Sequence, residues 1–210
     1  MIAGAGLLAT GLGVGVTIGH AQAPAAPRFA QMTIEQTSGA QRALADRMLK
    51  ETRAGLGGPW NVLVRSPEVG VGILDLYNYY RHRAPLGQRL IEFGILITAR
   101  EWSSNYEWFI HYPIGVAQGL APEMLADLRL GRRPAAMKDD EAIVYDFATE
   151  LLRTHGVSDA TFARAKARFG EQGVVDLTTL VGTYVSVAGV LSVGQVMGTA
   201  TDGPTFLPPL

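Results

Sequence analysis

Helix starts and stops punctuate this chain at short intervals, and they constrain its fold more than any other feature. Ser66-Pro67-Glu68 supplies an N-cap serine, a proline at the first helical position and an acid in the first turn. The helix it opens is expected to run to about His82, before Pro85 stops it. Ala121-Pro122-Glu123 begins a short helix, and Asp139-Asp140-Glu141 opens another that reaches His155 and closes at Gly156. Ser158 caps the next, to Phe169, with Gly170 as its stop. Ser38-Gly39-Ala40-Gln41 reads as a capping box, with Leu44, Ala45 and Met48 as the apolar stripe of a helix ending near Gly55. Gly55, Gly57, Gly58 and Pro59 then break the chain, and residues 131 to 138 form a turn carrying a basic patch. Between these lie two further helical stretches, RLIEFGILITAR and YEWFIHYPIGVAQ, with a break near Trp102 and Ser103 and a stop near Gly119.

One long segment resists pattern reading. Glu171 to Met197 is rich in Val, Thr and Tyr, which favours strand, but its length without a turn favours helix. Asp176, Gln195, several Ser and Thr and the lack of a flanking basic cluster argue against a membrane span there. A buried core helix or an oligomer-interface helix fits better, and Gly182, Gly189 and Gly194 would allow close helix approach.

The ends differ from the middle. Residues 1–23 read as a secretory leader: Met1 to Gly19 is small and apolar apart from Thr, and His20-Ala21-Gln22-Ala23 offers a cleavage region. Periplasmic or secreted localisation is the expectation, with an uncleaved anchor as the alternative and no stable span once the leader is removed. Gly4-Ala5-Gly6-Leu7-Leu8-Ala9 fits a dinucleotide fingerprint only in letters, since no strand precedes it. Residues 24–36, rich in Pro and Ala, are expected to be an extended arm; 37–200 form one helical domain, and 201–210 a Pro-rich irregular tail.

Eighteen basic residues against nineteen acidic ones, interspersed, give a net charge of −1 and no electrostatic reason to expect nucleic acid. Zero cysteine excludes disulfides, thiolate nucleophiles and Cys-ligated zinc.

Against that background Glu92, Glu107 and His111 stand out. Glu107 and His111 are four apart in YEWFIH, one helical turn on one face. Glu92 lies about a turn inside the preceding stretch, where Ile91, Ile95 and Leu96 tie it to a core. If the two stretches pack, two carboxyls and an imidazole converge in partly apolar surroundings, which raise carboxyl pKa values and permit acid–base chemistry near neutrality. A metal is a weaker reading of the same trio, since no second spaced histidine lies near. His82 and His155 fit helix ends, where the dipole favours a cation. Arg81, Arg83, Arg89 and Arg100 are candidates to grip a substrate carboxylate. Arg100, eight residues after Glu92, is the best placed on a helix. Trp60, Tyr77, Tyr80 and Trp108 could line a pocket or simply fill the core, and Tyr106 and Ser104 flank the site.

The spacing Glu92, Ser104, Glu107, His111 resembles the signature of the carboxymuconolactone decarboxylase/alkylhydroperoxidase D-like superfamily. There the peroxidase branch carries Glu, Cys-x-x-Cys and His; here Ser104 and Glu107 stand at the cysteine positions. The decarboxylase branch reads His-Glu-x-x-x-His, and this chain keeps Glu107 and His111 with Tyr106 in place of the first His. The flanking text LGGPWNVLVRSPEV and APLGQRLIEFGILITAREW extends the resemblance over roughly residues 40 to 195. It implies an all-α, alkylhydroperoxidase D-like helical bundle of seven to eight helices, with Glu171 to Met197 helical. It also implies a homo-oligomer, trimer or hexamer. The activity expected is a cofactor-free and metal-free decarboxylation of a small cyclic or lactone-type carboxylic acid. In it His111 would move the proton, Glu107 orient the imidazole and Glu92 act as a second acid, beside Arg100, Tyr106, Trp108, Ser104 and Trp60 as substrate-binding residues. An isomerase or hydrolase acting on a lactone or enone, and a non-catalytic binding or scaffold protein, are the alternatives.

Overall fold

A computed structural model describes residues 26–209, so the leader expected over 1–23 and the first residues of the arm lie outside the described residues. Among these residues all regular structure is helical: eight α-helices, a single 3-10 turn (Ile34–Gln36) and no strand. In chain order they are α1 (Gly39–Glu51), α2 (Pro59–Leu63), α3 (Pro67–His82), α4 (Gln88–Glu101), α5 (Asn105–Ala117), α6 (Pro122–Arg129), α7 (Asp139–Thr154) and α8 (Asp159–Gly194). The expected helical bundle of seven to eight helices is what the chain forms.

α4 is the axis of the bundle. Every residue from Leu90 to Arg100 is buried, and the helix packs against α5, α7 and α8. An apolar surface on all sides is what a fully enclosed helix needs. Each large side chain sealed there, such as Phe93 or Ile97, contributes roughly 1.5–3 kcal/mol. Gly94 lets α8 come close, since a Cβ there would lie 2.9 Å from Leu180 Cδ2. A smaller apolar cluster, including Leu44, Met48, Trp60, Leu63 and Leu74, joins α1, α2 and α3.

Ser158 caps α8 by accepting from the Thr161 N–H, and the helix breaks at Gly170 as expected. There φ 70° and ψ 179° lie in a region essentially reserved for glycine. The arm 171–194 is helical, which decides the ambiguous segment. It is long and apolar enough to cross a membrane by length and composition, yet 56% of its most apolar stretch is buried inside the fold. Burial against α4 and α7 accounts for that apolarity.

Several local expectations need correction. α1 ends at Glu51, short of Gly55, and α2 forms at once after the glycine-rich break because Pro59 suits a first helical position. Ser38 and Ser66 hold N-cap positions without donating or accepting a side-chain cap bond, so no capping box forms at Ser38. The left-handed cap of α7 falls on His155 (φ 62°), one residue before Gly156. The basic patch in 131–138 is neutralised, with Arg132 on Asp127 and Arg133 on Asp146.

The arm, expected to be extended, closes on the 3-10 turn Ile34–Gln36 instead, and both its described irregular part and the tail are stitched down. Asn61 accepts from the Met32 N–H at 2.9 Å and donates to the Ala30 carbonyl at 3.2 Å, while the Arg28 N–H reaches the Gly194 carbonyl. The tail buries Leu207 and receives the Trp108 indole N–H on the Pro204 carbonyl at 2.9 Å.

Candidate functional site

A tight turn fixes α5 against α4. Ser103 takes φ 50° there, its hydroxyl accepts from Arg100 Nη2 at 3.0 Å, and Ser104 becomes the N-cap residue of α5. α5 then crosses α4 closely at Gly115, one turn beyond His111. A Cβ at Gly115 would lie 2.9 Å from Leu120 Cδ1, 3.2 Å from Leu96 Cδ1 and 3.8 Å from Glu92 Cβ. That close approach lets two side chains meet: His111 Nδ1 lies 2.7 Å from Glu92 Oε2. The Glu92 side chain is 3% exposed and the imidazole 13% exposed.

The imidazole faces a cavity of about 580 Å³. One wall comes from the α1–α3 cluster, with Trp60, Leu63, Ile73, Tyr77 and Arg81; the other comes from α5 and α8, with Tyr106, Glu107, Ile110, His111, Ile114, Tyr184 and Val187. Glu92 stands behind His111, off the cavity wall. With Nδ1 engaged by Glu92, Nε2 is the nitrogen left for a ligand. The second carboxyl, Glu107, is 2% exposed, and neither of its oxygens has a hydrogen-bond partner among the described residues. Burial pushes it up to about 7, with Ser104 and the His111 imidazole pulling the other way. Ser104 thus lies near enough to be felt but forms no hydrogen bond of good geometry with it.

The structure therefore brings the predicted trio together, with the carboxyl that meets the imidazole coming from α4. Glu92, not Glu107, touches the imidazole; Glu107 borders the cavity with both carboxyl oxygens buried and unpartnered. The reason is helical geometry: an (i, i+4) pair shares a face, yet α4 offers its carboxylate across the helix–helix contact at hydrogen-bonding distance.

The predicted binding residues divide. Trp60 and Tyr106 line the cavity, and Trp60 meets Tyr77 edge to face at 5.5 Å. Ser104 is the α5 cap residue and is off the wall. Trp108 is wholly buried and donates to the tail, turned by one residue step away from Glu107. Tyr80 is likewise core, its hydroxyl on Thr179. Arg100 is 1% exposed and spends its guanidinium on the Arg129 and Pro208 carbonyls. Eight residues along a helix is a rise of about 12 Å, which carries it past the site. His82 ends α3 and His155 caps α7, both away from the cavity.

Much of the cavity lining escaped sequence reasoning, and two of the missed residues sit beside the imidazole or its neighbour on α8. Tyr184 of α8 sets its ring edge to face against His111 at 5.4 Å, and burial holds its phenol well above the ordinary value. Thr183 lies beside it. Their only sequence signal was a polar pair inside an apolar helix. Among the described residues no group of three His, Cys, Asp or Glu side chains is arranged to hold a metal ion.

An imidazole hydrogen-bonded to one carboxyl, next to a second carboxyl whose pKa is raised to about 7, is equipped to take a proton from one position of a ligand and give one to another. No family model matches the chain, and neither does any curated protein or any solved structure.

Proposed function

We propose that the protein is a cofactor-independent acid–base lyase that decarboxylates a cyclic or lactone-type carboxylic acid, within a cysteine-free branch of the carboxymuconolactone decarboxylase-like proteins. The observation that carries this reading is the Glu92–His111 pair, with its imidazole on the cavity wall, set beside the buried, unpartnered Glu107 carboxyl at the cavity's edge. In decarboxylation the bond to the carboxylate carbon breaks, CO₂ leaves, and the electron pair stays on the ligand, delocalised into a conjugated carbonyl. That carbon must then be protonated. Glu107, with its pKa raised to about 7, holds a proton near neutrality, and either it or His111, held by Glu92, supplies the one proton that the carbon takes. Solvent restores the proton used.

The same base and acid would serve an isomerase, which removes a proton at one carbon and returns it at another; their position on one wall favours that second reading over hydrolysis. A trimeric or hexameric assembly and a periplasmic or secreted location belong to the proposal through the resemblance, and the mass in solution tests the former.

The test is a panel of lactone acids, aromatic acids and enones, followed by CO₂ release and ultraviolet change. Turnover is expected on an acid, and His111→Ala is expected to lose more than nine-tenths of kcat/KM while staying folded. Retention of a tenth or more would remove His111 from the chemistry. Binding without turnover anywhere in the panel would favour a binding protein.

A further inference from the structure

We propose that Arg81 is the anchor for a ligand carboxylate, and that the cavity takes a carboxylic acid with an apolar body of ring size. This deepens the lyase reading and rests on it only for which end of the ligand reacts. Arg81 lies in the last turn of α3 on the cavity wall, its guanidinium 5.7 Å over the Tyr77 ring. Gln88, at the start of α4, donates to the Tyr80 and Arg81 carbonyls at 2.6 and 3.0 Å, which satisfies the end of α3 and fixes the base of the side chain.

Most arginines of this protein are paired: Arg47, Arg89, Arg133 and Arg153 all meet carboxylates. Arg81 has no acidic partner among the described residues, although it is half-buried. A partly desolvated guanidinium facing an apolar cavity is best satisfied by an anion that matches its planar fork, and a carboxylate does so bidentately. Hydrocarbon and aromatic side chains, among them Trp60, Leu63, Ile73, Ile110, Val187 and Leu191, make up most of the remaining lining; the second cation there, Arg53, is exposed to solvent where Arg81 is half-buried. The volume of about 580 Å³ lies within the usual span for small-molecule sites.

Pairing with a guanidinium stabilises a carboxylate before reaction, so the group that Arg81 holds stays on the ligand. The reacting carbon lies at the Glu107–His111 end. For a decarboxylation the ligand therefore carries a second carboxyl group there.

The test is calorimetric titration of the intact chain with 2-naphthoate and with 2-naphthamide, which match in shape and differ in charge. The acid is expected to bind at least about tenfold more tightly, the scale of one charge-assisted hydrogen bond. Arg81→Met should erase that preference. Arg53→Met, at the other cation on the cavity wall, should keep it, and so should His111→Ala, so that loss of turnover and loss of anchoring are read separately. Equal binding of acid and amide by the unmodified protein, or no binding of either, would overturn the anchor. So would a preference that survives Arg81→Met or vanishes with Arg53→Met.

Discussion

Glu107 is the residue on which stability and chemistry pull in opposite directions. Its carboxyl rises from 4.5 to about 7 on folding because burial disfavours the charged form. The folded state therefore holds this proton more tightly than the unfolded one. Below 4.5 both states are protonated and there is no penalty; as pH rises towards 7 the unfolded chain gains by ionising first. Above 7 the loss is complete, at about 3 kcal/mol. Glu107→Gln does not titrate, so its stability relative to the unmodified protein should improve by most of that amount between about pH 5 and about pH 8. Denaturant midpoints at the two pH values measure it, and a constant difference would mean that the carboxyl is solvated. In turnover the same substitution should slow the reaction and abolish an alkaline limb near 7 in kcat/KM, since the acid form is lost there. An unchanged limb would assign it to another group. The trio itself was legible in the sequence, because Glu-x-x-x-His on a helix and a carboxyl inside an apolar stretch are both local patterns. Which carboxyl touches the imidazole was not, since it depends on where two helices cross.

Between residue and bundle, the elements work through a few backbone positions with no freedom to change. Gly58 precedes α2 with φ 57° and ψ −132°, and a Cβ there would lie 2.0 Å from the Tyr106 hydroxyl. An L-residue cannot take that conformation without strain, and the phenol could not keep its place in the cavity wall. Gly58→Ala is expected to cost about 2 kcal/mol, a fall in Tm of about 4–8 °C. It should also weaken ligand binding although no catalytic group is touched. An unaltered Tm would show that the α1–α2 turn adapts freely. The sequence marked this stretch as a break, which the glycines justify. It gave no sign of α2, whose five residues are too few for a periodic pattern and are held by packing of Trp60 and Leu63. By contrast α3, α6 and α7 were readable because proline or acids sit at their first positions.

At the scale of the whole molecule, Arg100 shows how a charge can mislead when its partner is remote in sequence. On α4 alone it looks like a substrate grip; in the fold it is a rivet. Its guanidinium joins α4 to the end of α6 through the Arg129 carbonyl and to the tail through the Pro208 carbonyl, at 2.9 and 2.8 Å. Trp108 and Arg129 hold the same tail at Pro204 and Phe206, and Leu207 plugs the core. A Pro-rich ending carries no periodicity, so its docking could not be read in advance; only contact with α4, α5 and α6 defines it. Burial lowers the Arg100 pKa, with the charge of Arg129 adding to the effect and Glu101 opposing it. The residue is therefore held at some cost, and its carbonyl partners offset that cost. Arg100→Leu removes the buried charge but leaves those carbonyls without donors, for a net loss of about 2–3 kcal/mol. The tail should then become open to limited proteolysis near Pro204, while the preference of the cavity for 2-naphthoate over its amide stays as it was. A variant that keeps its tail protected but loses that preference would return Arg100 to the binding site and displace Arg81 from it.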